Sequence, residues 1–196
     1  MGIKDVIETI RTTASLADNI TAWRVIPHQP AHIIGIPDWL HPILRDRLNQ
    51  NGVQELYSHQ LDAITNVRNG RNIVITTGTA SGKSLCYQIP IINSLLSDAS
   101  STALLIFPTK ALTHDQMEGF NQLIPDFTGT KDRPTVFDGD TPQRDRQAIR
   151  ERSRIVLTNP DMLNIGILPN HTRWARFFEN LKFVVIDEIH SYRGVF

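Results

Sequence analysis

The residues with the clearest chemical potential form a loop between an apolar run and an apolar helix, in the stretch NIVITTGTASGKSLCYQ at positions 72–88. Small residues let backbone N–H groups turn towards a bound anion, and a helix predicted from Lys83 directs its positive end at the same place. Lys83 could then reach the β- and γ-phosphates of a nucleotide, and Ser84 could offer its hydroxyl to Mg²⁺. The general phosphate-loop pattern expects glycine where Thr77 stands, so an ordinary strand-to-helix turn is the alternative.

An acidic pair, Asp187 and Glu188, follows the apolar run FVVI at positions 183–186. At the end of a buried strand, one carboxylate can hold Mg²⁺ through water, and the other can activate the water that attacks a γ-phosphate. Taken alone, two adjacent acids after a strand more often form a solvated loop. Because Gly82-Lys83-Ser84 stands upstream, the sequence favours the nucleotide interpretation.

Residues so far apart in the chain need a scaffold, and the apolar pattern predicts one. Strands and helices alternate from Asn72 onward, which is typical of parallel strands joined by crossover helices. The predicted fold is α/β, with helix, sheet and helix layers around a mostly parallel sheet whose ligands bind beyond the carboxyl ends of the strands. The predicted strands are 72–76, 102–107, 135–137, 155–157 and 183–186, and the predicted helices are 83–96, 110–123, 142–151 and those within 160–179.

The N-terminal residues predict further elements. Apolar residues at helical spacing predict an amphipathic helix over 3–16, and three prolines predict an extended strap over 22–37. Asp38 is predicted to cap the next helix, with Gly52 just beyond its end, and a further helix is predicted from Ser58. The expected domains are an N-terminal helix and strap over 1–36 and an incomplete domain over 37–196.

Composition limits the class of protein. A chain of 196 residues with 40% hydrophobic content can bury a real core, and its 20 basic residues balance 20 acidic ones. Any nucleic-acid binding must therefore come from a local patch rather than from net charge. The single cysteine, Cys86, excludes an internal disulfide framework and fits a reducing compartment. No stretch approaches the roughly 20 apolar residues of a membrane span, so we expect a cytoplasmic protein without membrane contact.

Six motifs resemble those of one family, in order and in spacing: YSHQ (57–60), TGTASGKS (77–84), PTKAL (108–112), DGDT (138–141), TNPDML (158–163) and DEIH (187–190). Over residues 37–196 the chain resembles the first motor domain of superfamily 2 helicases of the DEAD/DEAH type, a RecA-like phosphate-loop NTPase. TGTASGKSLCYQ, DGDTP and DEIHSYRGVF more narrowly resemble the bacterial mitomycin-repair DNA helicases and their RecQ-related fungal relatives.

The resemblance implies a site for ATP and Mg²⁺. Gln60 would read the adenine edge, whose donors and acceptors a side-chain amide can match, and Tyr57 would lie near the base. Without the phosphate loop, an exposed helical glutamine would be the simpler interpretation of Gln60. The implied catalytic residues are Lys83, Asp187, Glu188 and His190, the metal ligands are Ser84 and Asp187, and the cofactor-binding residues are Tyr57, Gln60, Thr79, Ala80, Ser81, Gly82, Lys83, Ser84 and Leu85.

The same resemblance implies a nucleic-acid surface, with single-stranded DNA rather than RNA as the partner. Hydroxyls, amides and helix starts suit contacts to phosphates, which position a strand without reading its sequence. Ordinary helix capping is the alternative for Asp140, Thr141 and Asp161. The implied residues are Thr109, Lys110, Gly139, Asp140, Thr158 and Asp161.

A run of arginines between Gln143 and Arg154 also needs an explanation. On a helix, Arg146, Arg150 and Arg154 would share one face, and like charges at that spacing destabilise a helix unless an anion neutralises them. The run therefore predicts either a patch for a nucleic-acid backbone or a solvated surface helix.

A whole motor of this kind would need more than these motifs. The resemblance implies a further strand between the phosphate-loop strand and the acidic-motif strand, and a second motor domain in the same or a neighbouring chain. Three hypotheses remain: the truncated N-terminal motor domain of an ATP-dependent DNA helicase, inactive alone; a stand-alone ATP- or nucleic-acid-binding module without turnover; and another phosphate-loop enzyme such as a small-molecule kinase. The kinase is least favoured, because it has no need of PTKAL and TNPDML.

Overall fold

The computed structural model describes residues 2–25, 31–78, 81–125 and 132–192. The chain divides into two compact units, Met1–Ala31 and His32–Phe196. The second unit begins before the expected boundary at residue 37, because a short strand, β1 (Ile33–Gly35), pairs antiparallel with β2 (Glu55–Tyr57).

The N-terminal unit contains two short helices, α1 (Ile3–Thr12) and α2 (Ala14–Ala17). The predicted helix over 3–16 is thus interrupted at Thr13, whose backbone is extended with φ of −87° and ψ of 109°. The Arg11 guanidinium lies 4.5 Å from the centre of the Trp23 ring. This cation–π contact joins α1 to the residues that follow α2.

Helix α3 (Pro42–Gln50) begins with proline, whose missing N–H would have had no partner in the first turn. His41 precedes the helix, and its Nδ1 accepts a hydrogen bond from Ile43 N at 3.3 Å. The prediction that Asp38 caps this helix is therefore wrong. The Asp38 carboxylate instead pairs with Arg45, at 2.7 Å.

Two glycines mark the ends of α3 and of the next helix, α4 (Ser58–Arg68). Gly52 and Gly70 have φ of 80° and 72°, a left-handed conformation that a residue without Cβ adopts without strain. Leu44 of α3 and Ile64 of α4 are fully buried. Each helix therefore contributes an apolar face to the core, as its residue spacing predicts.

The centre of the second unit is a sheet of four parallel strands in the order β4-β5-β3-β6. These strands are β3 (Thr102–Ile106), β4 (Thr135–Val136), β5 (Ile155–Thr158) and β6 (Leu181–Ile186). The helices between and before them are α5 (Lys83–Ser97), α6 (Lys110–Leu123), α7 (Gln143–Arg152), α8 (Pro160–Met162) and α9 (Ala175–Glu179), with a π-helical turn at Leu163–Ile167 and 3-10 segments at Leu168–Trp174 and Ile189–Ser191. Nowhere in the described ranges is a helix long and apolar enough to cross a membrane.

Two apolar clusters cover the two faces of this sheet, which confirms the predicted three-layer arrangement. Strand β3 contributes to both: Ala103 and Leu105 belong to one cluster, and Leu104 and Ile106 belong to the other. The first cluster includes residues of α3, α5 and α6, while the second includes residues of α7 and α9. All residues of β3 are buried, as expected of a central parallel strand.

The predicted strand at 72–76 is not part of the sheet. Residues 71–78 form no ladder, and Val74 is 88% exposed while Ile73 and Ile75 are half-buried. Strand β6 pairs with β3 along one edge, and no strand in the described ranges pairs with its other edge. Its residues alternate between exposed and half-buried, so the prediction that both faces are covered is wrong for this strand.

Candidate active site

The phosphate loop leads into α5, and its backbone has the form that an anion needs. Gly82 precedes α5 with φ of 72°. Because the first N–H groups of a helix have no intrahelical partner, they and the helix dipole favour an anion at this place. Thr77 Oγ1 and Ser81 Oγ lie 2.6 Å apart and close the loop on itself. This part of the loop fits a phosphate group; Thr79 and Ala80, which were also expected to bind the cofactor, lie outside the described residues.

The acidic pair meets the phosphate loop at Lys83. Lys83 Nζ lies 3.8 Å from Glu188 Oε1. Asp187 N donates to Ile106 O at 3.0 Å, which continues the β3–β6 ladder into the loop. Asp187 Oδ1 accepts from Glu188 N at 2.9 Å, and Glu188 has a left-handed φ of 49°. A non-glycine residue keeps this strained conformation only where its surroundings impose it, and here the conformation places the Glu188 carboxylate beside Lys83.

His190 lies on the other side of the same carboxylate. Its Nδ1 is 3.3 Å from Glu188 Oε2, and its side chain is 70% exposed. Glu188 therefore has a basic side chain beside each oxygen, Lys83 at Oε1 and His190 at Oε2. These two contacts hold the Glu188 carboxylate between the phosphate loop and the residues after β6. A catalytic role for His190 stays a prediction.

Two tyrosines line this region. Burial raises the pKa of Tyr87; the Ser84 hydroxyl opposes the rise, and the negative charge of Asp187 adds to it. Burial also raises the pKa of Tyr192 to about 12, with Asp187 and Glu188 adding to the rise. Both phenols therefore stay neutral near pH 7.

A hydroxyl and a carboxylate are the oxygen donors that Mg²⁺ prefers, and they fit this ion if water and substrate phosphates complete its shell. In the part of the chain that the structure describes, no cluster of three or more His, Cys, Asp or Glu side chains is placed to hold a metal ion by itself.

Gln60 joins the start of α4 to the phosphate loop. Its side chain is 2% exposed, and its Oε1 accepts from Tyr57 N at 2.9 Å while its Nε2 donates to Gly82 O at 2.9 Å. A Cβ added at Gly82 would lie 2.5 Å from Gln60 Nε2, so glycine is needed for this close approach as well as for its φ. The exposed-glutamine alternative is wrong, and the adenine-reading role stays a prediction. Tyr57 is 42% exposed beside it.

Two residues of this region differ from their assignment by sequence. Leu85, expected to bind the cofactor, packs against the first apolar cluster, so only its backbone could serve the loop. His59 was not predicted to take part, yet its Nε2 lies 3.0 Å from Ser81 O. Its place in YSHQ, between Tyr57 and Gln60, was the available signal.

The loops predicted to contact nucleic acid follow β3, β4 and β5, which are neighbouring parallel strands and therefore end at the same edge of the sheet. Lys110 after β3 forms an ion pair with Asp140 after β4, and this hydrogen bond raises the pKa of Lys110. Thr109 Oγ1 accepts from Leu112 N at 3.3 Å and caps α6. Nothing lies within 4 Å of a Cβ placed on Gly139, so the space beside this residue is open, and its contact with nucleic acid stays a prediction.

The DGDT loop is held by its own side chains. Thr141 Oγ1 accepts from Asp138 N at 2.8 Å, and Asp138 Oδ1 accepts from Thr141 N at 3.1 Å. Pro142 precedes α7, which has no side-chain cap. Helix capping is therefore the wrong explanation for Asp140 and Thr141; Thr141 closes the loop, and Asp140 pairs with Lys110.

The TNPDML motif contains both buried and exposed residues. Thr158 is 1% exposed, and its hydroxyl donates to Phe137 O at 2.7 Å. A hydroxyl enclosed in this way cannot contact a strand, so the prediction is wrong for the Thr158 side chain. The cap of α8 is Asn159, whose Oδ1 accepts from Met162 N at 2.8 Å. Asp161 is exposed, and its contact with nucleic acid stays a prediction.

The predicted arginine face does not form, because α7 ends at Arg152 and Arg154 lies directly before β5. Arg154 is 2% exposed. Its guanidinium donates to Asp132 Oδ1 at 2.6 Å, to Ser101 O at 3.1 Å and to Leu95 O at 3.0 Å. A buried charge is tolerated when it is paired and hydrogen-bonded in this way. The prediction that Arg154 belongs to a nucleic-acid patch is therefore wrong.

Arg146 is also held by the fold. Its Nε donates to Thr141 O at 3.0 Å, its Nη2 donates to Asp138 O at 3.3 Å, and its guanidinium lies 5.5 Å from the centre of the Phe137 ring. Arg146 thus fastens α7 to the DGDT loop. Arg146 and Arg150 both lie in α7 at the predicted spacing of one turn, and both are half-buried; only Arg154 lies outside the helix.

Comparison with protein families matches most of the chain. A family model described as DEAD/DEAH box helicase matches residues 57–196. The matched range begins at the YSHQ motif and includes every residue of the geometry described above that surrounds the phosphate loop.

Relatives extend the similarity to the N-terminal residues. The chain is 44% identical over 179 residues to the uncharacterised ATP-dependent helicase YprA of Bacillus subtilis strain 168, covering 91% of this chain and 24% of YprA. It is 40% identical over 195 residues to the ATP-dependent helicase HRQ1 of Saccharomyces cerevisiae, covering 99% of this chain and 18% of HRQ1. This chain therefore spans a quarter or less of either relative.

A solved structure shows the same fold at similar identity. The DUF1998 helicase MrfA, in a crystal structure bound to DNA and AMPPNP, superposes with a TM-score of 0.91 and is 40% identical to this chain. The match covers 99% of this chain and 27% of the MrfA chain.

Proposed function

Because the chain belongs to the DEAD/DEAH box helicase family, we propose that it is the N-terminal ATP-binding motor domain of an ATP-dependent DNA helicase. The whole protein would couple ATP hydrolysis to movement along a strand. The observation that carries the proposal is the meeting of Lys83 Nζ with Glu188 Oε1 at 3.8 Å. It brings a phosphate-binding lysine and a water-activating carboxylate to one point at the ends of two secondary-structure elements.

Each residue of the site has a definite task in this proposal. The N–H groups at the start of α5 bind the phosphates, and Lys83 moves from Glu188 to the β- and γ-phosphates. Ser84 and Asp187 hold Mg²⁺, which neutralises phosphate charge when it is bound. Release from Lys83 leaves Glu188 able to orient and deprotonate the attacking water. Gln60 and Tyr57 flank the adenine.

The partner that we propose is single-stranded DNA, as a backbone ligand. AMPPNP is an ATP analogue, and MrfA binds it together with DNA, which supports both ligands for this chain. The exposed residues at the edge of the sheet supply hydroxyl, ammonium and backbone groups that suit phosphates. They are Thr109, Lys110 and Gly139, together with Asp140 and Asp161, which would contribute only backbone groups because a carboxylate repels a phosphate. Lys110 would exchange Asp140 for a phosphate when a strand binds, so this pair competes with the ligand.

The remainder of such a helicase would complete the sheet and the ATP site. The relatives are several times as long as this chain, since the chain covers 24% of YprA and 18% of HRQ1. We place in that remainder a strand between residues 72–78 and β6, and a second motor domain whose arginine completes the ATP site. The N-terminal residues, 1–36 by sequence, would precede the motor domain, whose compact unit begins at His32 because it includes β1. The protein would act in the cytoplasm.

Nucleotide binding is the direct test. We expect Mg²⁺-ATP to bind the 196-residue chain in isothermal titration calorimetry, and Lys83→Ala to weaken it by about tenfold or more, as for loss of a charged hydrogen bond. Lys182→Ala is the matched control, because Lys182 also pairs with a carboxylate, that of Asp98, at the start of β6. Absence of ATP binding, or equal losses in both variants, would contradict the proposed site.

Turnover is a separate test of the claim that the site is incomplete. We expect no DNA-stimulated ATPase activity from this chain alone, because the second motor domain is needed for transition-state charge stabilisation. Clear DNA-dependent phosphate release that disappears in Lys83→Ala would show that the chain needs no partner domain.

A further inference from the structure

His59 contacts the phosphate loop from outside the predicted set of site residues. Its Nε2 lies 3.0 Å from Ser81 O. A carbonyl oxygen can only accept, so Nε2 carries the proton and donates. The His59 ring also stacks on Tyr57, with the ring centres 5.6 Å apart and the planes 10° from parallel. Stacking limits rotation of the ring and so keeps Nε2 directed at the loop.

The neighbouring side chain makes the same kind of contact one residue further along the loop. Gln60 Nε2 donates to Gly82 O at 2.9 Å. Consecutive residues at the start of α4 thus hold consecutive carbonyl groups of the phosphate loop. The two contacts are independent of the ladder hydrogen bonds, which residues 71–78 lack.

Because of the geometry of the peptide bond, these contacts also fix the directions of the N–H groups at the anion site. A trans peptide is planar, so the carbonyl of one residue and the N–H of the next point in opposite directions. A donor that holds Ser81 O therefore directs Gly82 N–H away from α4, and a donor that holds Gly82 O does the same to Lys83 N–H. These N–H groups stand at the start of α5, where a phosphate would bind.

We propose that His59 is a positioning residue for the triphosphate: through Ser81 O it presets the direction of the Gly82 N–H, and through its stack on Tyr57 it ties the base side of the site to the phosphate side. The inference rests on the proposed ATP site. A loop that is already oriented loses less conformational freedom when the ligand binds. Within the described residues the segment before the phosphate loop has no strand partner, so the contacts from α4 help to hold the loop in this chain.

A pair of substitutions separates the hydrogen bond from the stack. His59→Phe keeps an aromatic ring against Tyr57 and removes the donor, whereas His59→Gln places an amide Nε2 where it can donate to Ser81 O. We expect His59→Phe to weaken both ATP and inorganic tripolyphosphate by about fivefold, the equivalent of one net hydrogen bond. We expect His59→Gln to recover most of the loss. Calorimetric titration with both ligands measures this, and thermal melting without ligand confirms that the variants fold alike.

His171→Phe is the matched control, because His171 Nδ1 lies 3.1 Å from a backbone carbonyl, Leu168 O, in another part of the chain. It should bind both ligands as the unsubstituted chain does. A loss that affects ATP and spares tripolyphosphate would place His59 at the base and overturn the inference, as would equal losses in His59→Phe, His59→Gln and His171→Phe. If the unsubstituted chain binds neither ligand, the proposed function itself fails. If it binds both ligands and the substitutions at His59 leave their affinities unchanged, the inference about His59 fails and the proposed function stands.

Discussion

Two stretches of this chain have the same order of elements, an apolar run, a loop and a helix, and they end up in different structural states. In residues 102–123, the run becomes β3, with ladder partners on both edges and every side chain buried. In residues 72–97, the run stays outside the sheet, and Val74 is 88% exposed. The two helices behave alike, since α5 and α6 both bury one apolar face.

The difference separates what a helix needs from what a strand needs. A helix satisfies its backbone hydrogen bonds internally, so α5 forms once one of its faces can pack. A strand has its backbone partners in other segments, so the run at 72–78 needs a neighbouring strand that the described residues do not provide. Even so, the loop between the run at 72–78 and α5 is held in place, because His59 and Gln60 contact its carbonyl groups.

Hydrogen exchange should show the largest contrast. Amides of residues 102–106 should exchange roughly a thousandfold more slowly than those of residues 72–78, since ladder amides open only with the fold. Mass spectrometry of peptides from the two runs measures the ratio. Equal protection in the two runs would mean that 72–78 is paired in solution and would remove the contrast.

A matched substitution should show the next largest effect. Val156 lies in β5, the neighbour of β3, and is fully buried, whereas Val74 is exposed. Val156→Ala should lower the free energy of unfolding by about 2 kcal/mol through lost burial and a cavity, and Val74→Ala should change it by no more than about 0.5 kcal/mol. Urea denaturation measures both. A loss of similar size in Val74→Ala would show that the 72–78 run packs as a strand does.

The smallest expected effect concerns α5, which should be as well packed as α6. Burial raises the pKa of the Cys86 thiol from 9.0 to about 11. The unfolded thiol therefore ionises first, so its contribution to stability is complete below pH 9 and falls by about 1 kcal/mol per pH unit up to about pH 11.

Cys86→Ala should remove this part of the pH dependence, and the difference between the two unfolding curves isolates it from the tyrosines. Parallel curves would indicate that the thiol is accessible to water and would contradict the firm packing of α5.

Much of the site could be predicted because residues that are adjacent in the sequence form it. Gly82, Lys83 and Ser84 are adjacent, and the helix that follows them was predicted from its own residues. Asp187 and Glu188 follow the apolar run that forms β6, and the order of the motifs predicts their meeting with Lys83, although the run before the phosphate loop is not a strand of the sheet.

The errors concern residues whose environment is made by distant segments. Arg154 looks like part of a helical arginine face, but the helix ends before it. The Asp132 carboxylate and the Ser101 carbonyl group accept hydrogen bonds from its guanidinium. Thr158 looks like an exposed loop hydroxyl, but it is buried and donates a hydrogen bond to Phe137 O. Burial and pairing of this kind cannot be seen in the spacing of one segment.

The sequence by itself determined the α/β class, the helices from α3 to α7, the order of motifs and the place of the phosphate loop, because short-range spacing and backbone chemistry specify these features. Only the tertiary structure decided that the run before the phosphate loop has no ladder, that Arg154 is enclosed, and that His59 and Gln60 hold the loop from α4. Strand pairing, burial and side-chain contacts to distant carbonyl groups are non-local, and their free energies depend on which segments the fold brings together.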